Sequence, residues 1–150
     1  MIQGVKIKKL KLLADERGRL MELLRCDEKL FLKFGQVYFT SAYANVVKAW
    51  HYHKKQDDYF ACIKGKMLLA LYDARGKSKT YKEINEFELS LDNPLLIKIP
   101  RNVYHGFKCI SPDEALVINI PTLPFNHLKP DEYRLDPYDK NIAYNWRENV

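Results

Sequence analysis

The chain has 150 residues, a mass of 17.7 kDa, 47% apolar and 29% charged residues, and a formal charge of +6. At this length one core can bury most of the chain, so 1–150 are expected to form a single domain, and the composition excludes a disordered polypeptide. No apolar run approaches the ~20 residues that span a bilayer; the lysines are scattered without an RRM signature or zinc-finger spacing, so neither membrane nor nucleic acid is expected as a partner.

Residues 5–13 alternate apolar and basic side chains and predict a strand, Asp15-Glu16-Arg17-Gly18 a turn, and 20–24 the next strand. Residues 27–34 fit one or two helical turns. Strands follow at 36–41, 46–52 and 59–64, then a turn at Gly65. The nearly continuous apolar run 67–72 predicts a strand buried on both faces or lining a barrel. A polar loop at 73–78 precedes strands at 80–85 and 86–91, and Asp92-Asn93-Pro94 turns the chain into a strand at 95–99. After a turn at Arg101-Asn102, strands at 104–110 and 115–120 complete the set. Many short strands between turn signals predict an all-β barrel or sandwich. Beyond Pro121 the prolines at 124, 130 and 137 predict an irregular tail, with one helical turn at 130–133. The N-terminus lacks a continuous apolar segment with a small-residue cleavage site, so no signal peptide is expected. Cys26, Cys62 and Cys109, an odd number without CxxC spacing, read as reduced thiols of a cytoplasmic protein.

Of four histidines, His51 and His53 flank Tyr52, so on a strand both point to one face. Asp58 and Gly65 follow, and further on Pro100 precedes His105. This order resembles the two cupin motifs: HxH, a carboxylate and a glycine, then a proline turn and a histidine. Three readings of these residues stand. His51, His53, Asp58 and His105 are suitable ligands for a divalent transition metal. Alternatively one histidine acts as a metal-free acid–base group, since imidazole titrates near neutrality. The third reading is that the histidines fill polar positions in the barrel.

A longer resemblance covers nearly the whole chain. Asp15-Glu16-Arg17-Gly18-Arg19-Leu20 with Glu22 is similar to the "DxRGxF…E" segment of the dTDP-4-dehydrorhamnose 3,5-epimerases. Lys48-Ala49-Trp50-His51-Tyr52 resembles their "RGLHY/F", and Tyr72-Asp73-Ala74-Arg75 with Ser78, Thr80 and Tyr81 their "D.R..SPT.G". Residues 95–100 with Val103-Tyr104-His105-Gly106-Phe107 resemble "L.IP.G.AHGF", and Ile142 to Trp146 the closing "I.W". The chain is thereby identified as a shortened, divergent member. The resemblance implies a double-stranded β-helix (cupin, jelly roll), a homodimer, no cofactor, and a nucleotide-linked 4-keto-6-deoxy sugar as substrate. It also implies that His51 removes a proton next to the C4 ketone, with Arg17, Lys48, His53, Arg101 and His105 around the substrate.

The chain departs from that pattern at defined places. The family's lysine falls at Asp58, its arginine before the histidine is Lys48, and the tyrosine that protonates from the opposite face falls near Pro124-Phe125. Tyr43, Tyr52, Tyr59, Tyr104 and Tyr144 are possible substitutes. The HxH pair is reminiscent of the sugar 3,4-ketoisomerases. The alternatives are therefore a ketoisomerase or metal-dependent cupin enzyme, and a non-catalytic cupin that binds a sugar or nucleotide.

Overall fold

The computed structural model describes residues 1–147, and among these every regular element is a strand. In chain order they are β1 (Lys6–Lys9), β2 (Leu12–Asp15), β3 (Gly18–Met21), β4 (Tyr38–Tyr43), β5 (Val47–Tyr52), β6 (Asp58–Lys64), β7 (Lys66–Asp73), β8 (Ile84–Ser90), β9 (Leu95–Ile99), β10 (Val103–Cys109), β11 (Glu114–Asn119) and β12 (Tyr133–Arg134). Two antiparallel sheets run β1-β9-β6-β11-β4 and β12-β5-β10-β7-β8, and β2 and β3 form a separate hairpin. This is the expected all-β jelly roll. No helix among the described residues is long and apolar enough to cross a membrane.

The alternation along β7 explains the stacking. Met67, Leu69 and Leu71 join the main core, whereas Ala70 and Tyr72 pack on the other face with Trp50, Ile142 and Trp146. β6 does the same in the second sheet: Phe60 and Cys62 face the main core, while Tyr59 and Ala61 pack with Leu10, Leu96 and Leu23. The main core is thus the space between the sheets. The C-terminal segment covers one outer face and the N-terminal segment the other, which is why 67–72 reads as a continuous apolar run. Burial of each large core side chain stabilises by roughly 1.5–3 kcal/mol. Cys62 and Cys109 lie in this core as free thiols, and Cys26 is exposed.

The interior-facing positions turn polar at one end of the sandwich. On β10, Cys109 and Phe107 lead to His105; on β6, Cys62 and Phe60 lead to Asp58. On β4, Ala42 leads to Thr40 and Tyr38; on β11, Ala115 and Val117 lead to Asn119. The two-residue period that builds the apolar core therefore also delivers the polar end.

Four sequence expectations are corrected. The strand at 5–13 is interrupted because Leu10 turns into the core and its N–H donates to the Pro94 carbonyl at 2.8 Å. Residues 27–34 form no helix: the Tyr59 hydroxyl donates to the Leu30 carbonyl (2.8 Å) and accepts from the Leu32 N–H (3.1 Å), satisfying groups a helix would use itself. Residues 80–83 are a loop wound around Asp73, whose carboxylate accepts from Ser78 Oγ and Thr80 Oγ1, each at 2.6 Å. In the tail, 130–133 is not helical. Tyr133 and Arg134 instead pair with Tyr52 and His51 of β5, and Trp50 and Leu135 exchange backbone hydrogen bonds of 3.1 and 2.9 Å.

Candidate active site

β5 and β10 are hydrogen-bonded neighbours, and their register sets His51 opposite His105. The two rings pack edge to face with centroids 4.5 Å apart, and His105 meets Phe60 of the facing sheet at 5.6 Å. His53 follows two residues after His51 and faces the same way. A cavity of about 1220 Å³ opens at this polar end, and Tyr38, Lys48, His51, His53, His105 and Arg134 are among its walls.

The charges in this cluster are sorted by their partners. Burial alone would depress His53 and raise Asp58. Their contact, Nε2 to Oδ2 at 3.1 Å, overrides it, so His53 is held above the usual histidine value and Asp58 below the usual carboxylate value. The His53 Nδ1 donates to the Asp131 carbonyl, so both ring nitrogens have acceptors, as an imidazolium requires. Gln56 Nε2 donates to the other Asp58 oxygen at 2.9 Å.

His51 and His105 are the opposite case. Burial, reinforced by the neighbouring His53, Arg134 and Lys48, pushes His51 down to about 4. Burial and then His51 push His105 down to about 3, even though Asp58 lies 3.5 Å from its Nε2. His105 Nδ1 donates to the Val103 carbonyl at 3.1 Å, and its buried Nε2 has no hydrogen-bond partner among the described residues. The site therefore joins a His53–Asp58 pair whose contact favours the charged form of both partners to two imidazoles, His51 and His105, that are neutral at neutral pH. Of the neutral pair, His51 sits in a cationic field that would stabilise an anion formed beside it.

Of the residues singled out from sequence, His51, Lys48, His53 and His105 line one cavity. Lys48 Nζ donates to Thr40 Oγ1 at 3.2 Å, bridging β5 to β4. Arg17 lies elsewhere, in the β2–β3 turn, paired with Asp15 at 2.5 Å and largely exposed. Arg101 is also outside the cavity wall: its N–H donates to Asp57 Oδ1 at 3.0 Å and its Nε lies 3.7 Å from the same oxygen. A metal-suited group exists, with one ligand atom each from His53, Asp58 and His105 within 4.8 Å of one another; His51 is not part of it. Sequence reasoning missed Tyr38, Asp131 and Arg134. The residues of the tail carry no periodicity to mark them, and only the spacing of Tyr38, Thr40 and Ala42 on one strand face points to an inward position.

The model of the dTDP-4-dehydrorhamnose 3,5-epimerase family matches residues 1–150. The chain is 41% identical over 146 residues to the spore coat polysaccharide biosynthesis protein SpsL of Bacillus subtilis (strain 168), covering 97% of each chain. It is 38% identical over 140 residues to the probable low-salt glycan biosynthesis epimerase Agl13 of Haloferax volcanii, covering 92% of this chain and 89% of that one. Among solved structures, a dTDP sugar isomerase from Desulfovibrio desulfuricans G20 superposes with a TM-score of 0.94 at 29% identity, over 99% of this chain and 94% of that one. A jelly roll with a histidine-lined polar end, matched over its full length by one family, leads to a single assignment: the chain belongs to the dTDP-4-dehydrorhamnose 3,5-epimerase family.

Proposed function

We propose that the protein is an epimerase of a nucleotide-linked 4-keto-6-deoxy sugar, with His51 as the base that removes a proton next to the C4 ketone. The observation that carries this reading is the state of His51: a half-buried imidazole, pushed down to about 4, on the wall of a large cavity beside Lys48 and Arg134. A neutral imidazole can accept the proton, and the cations favour both the resulting enolate and the substrate's diphosphate. His53 and His105 complete that wall. The names of the relatives, a dTDP sugar isomerase and a glycan biosynthesis epimerase, support the substrate class. The enzyme is proposed to act without a metal, as a cytoplasmic homodimer; light scattering at micromolar concentration checks the assembly.

The test is deuterium entry from heavy water into dTDP-4-keto-6-deoxyglucose, followed by NMR. Exchange at C3 and C5 identifies a 3,5-epimerase; exchange at C3 alone identifies a 3-epimerase. His51→Asn is expected to lower exchange by ~10²–10⁴-fold while dTDP still binds. Exchange at the wild-type rate in that variant would remove His51 from its role, and a wild type that exchanges nothing would favour a non-catalytic binding module.

Two alternatives rest on specific residues. His51 and His53 on one wall also suit a 3,4-ketoisomerase, which would move the carbonyl signal from C4 to C3. The His53, Asp58 and His105 group suits a metal-dependent enzyme, although Asp58 is already engaged by His53 and Gln56. Near-stoichiometric iron, manganese, nickel or zinc in untagged protein, lost on His53→Ala, would decide for that alternative.

A further inference from the structure

Inversion at carbon requires a proton delivered to the face opposite the one the base has stripped. His51 commands one wall only, and strand register defines the other. On the sheet that carries β5, His51 and His105 sit side by side. On the facing sheet, Tyr38, Asn119 and Phe60 form a row across β4, β11 and β6. The contact between Phe60 and His105 brings the two rows face to face. Among the described residues lining the cavity, Tyr38 is the one titratable group borne on a strand of that facing sheet. Tyr59, by contrast, packs on the outer face with Leu30, and Tyr52 and Tyr104 stack on each other away from the cavity wall.

We propose that Tyr38 is the general acid that returns a proton to the sugar carbon on the face opposite His51; this rests on the epimerase reading above. Asn119 Nδ2 donates to the Tyr38 oxygen at 2.8 Å, so the phenolic hydrogen remains available to the cavity. The step balances. His51 takes the carbon's proton and becomes an imidazolium, and the electron pair of the broken C–H bond is held in the enolate. The enolate carbon then forms its new C–H bond with the Tyr38 proton, and the O–H electron pair stays behind as a phenolate that the Asn119 amide stabilises. The imidazolium releases its proton to water and the phenolate takes one from water. Burial pushes the Tyr38 hydroxyl up to about 12, with Asn119 opposing and Asp58 adding to it, so the donor is loaded at neutral pH.

Tyr38→Phe in heavy water with dTDP-4-keto-6-deoxyglucose separates the two walls. Deuterium entry with retention should stay within about tenfold of wild type, because His51 can return a solvent proton to its own face, while inverted product should fall by ~10²–10⁴-fold. Inversion at the wild-type rate would overturn the assignment, as would an equal loss of exchange and inversion with dTDP still bound. Replacing Tyr38 by 3-fluorotyrosine keeps the side chain in place and should move the alkaline limb of the inversion rate to lower pH; an unmoved limb would also overturn it. A wild type that exchanges no deuterium at all fails the epimerase reading itself, which is a different result from failure at Tyr38 alone.

Discussion

Lowering the pH from 8 to 5 interrogates the two neutral histidines through stability. In an unfolded chain each imidazole gains its proton near 6.5. In the folded protein His51 does so only at about 4 and His105 only at about 3, burial being the main cause of both. The unfolded state therefore binds more protons across this interval, so stability falls as the pH falls, starting near 6.5 and levelling off below the folded values. At pH 5 the linkage costs about 2 kcal/mol for each histidine. His53 works in the other direction: held above its usual value, it contributes stability that is full below 6.5 and lost as the pH rises through its folded value. Asp58, held below its usual value, contributes stability above about 3.9 and loses it only on further acidification, outside this window. The assay is urea unfolding at pH 8, 7, 6 and 5, read by the fluorescence of the fully buried Trp50 and Trp146. His51→Asn should be less acid-sensitive than wild type by about 2 kcal/mol between pH 8 and 5. The general repulsion of a +6 chain acts on both proteins and cancels in the comparison. Parallel pH profiles would refute the reasoning.

Two further perturbations follow. Asp58→Asn leaves His53 without its carboxylate, so burial then favours the neutral imidazole, and the lost charge-assisted hydrogen bond should cost about 1–3 kcal/mol, read as a lowered urea midpoint with an unchanged slope. Gly106→Ala would bring a Cβ to within 2.2 Å of the Ala49 Cβ, forcing β10 away from β5 beside the His51–His105 pair. A loss of about 1–3 kcal/mol in thermal unfolding is expected, with a larger proportional loss of deuterium exchange than of dTDP binding.

What the sequence showed and what it hid follow from the range of the interactions. Strand positions were legible where a two-residue period repeats with both faces covered, as on β6, β7 and β10. The shared direction of His51 and His53 followed from the same period. The break at Leu10 was hidden because it depends on Pro94, and the loop at 80–83 because Asp73 gathers hydroxyls from residues that local propensity places in a strand. The role of Asp58 was hidden for a related reason. Its spacing fits a ligand or the family's lysine position, whereas its partners are His53 and Gln56. Arg134 and Asp131 reach the site through a tail whose prolines announce only irregularity.

The tail also divides the molecule into parts with different freedom to change. His51 and His105 stand on β5 and β10, strands hydrogen-bonded on both sides, so their spacing is fixed by the ladder. Much of the remaining cavity wall, including Phe125, His127 and Lys129, belongs to a segment without strand structure that is held to β5 by two ladder pairs at Tyr133 and Arg134 and by the Asp131 carboxylate accepting the Lys54 and Lys55 N–H groups. Substitutions or length changes between Pro124 and Pro130 can therefore reshape the cavity mouth while leaving His51 and His105 where they are. The architecture lets ligand selectivity diversify on one stretch of chain while the proton chemistry is kept on another.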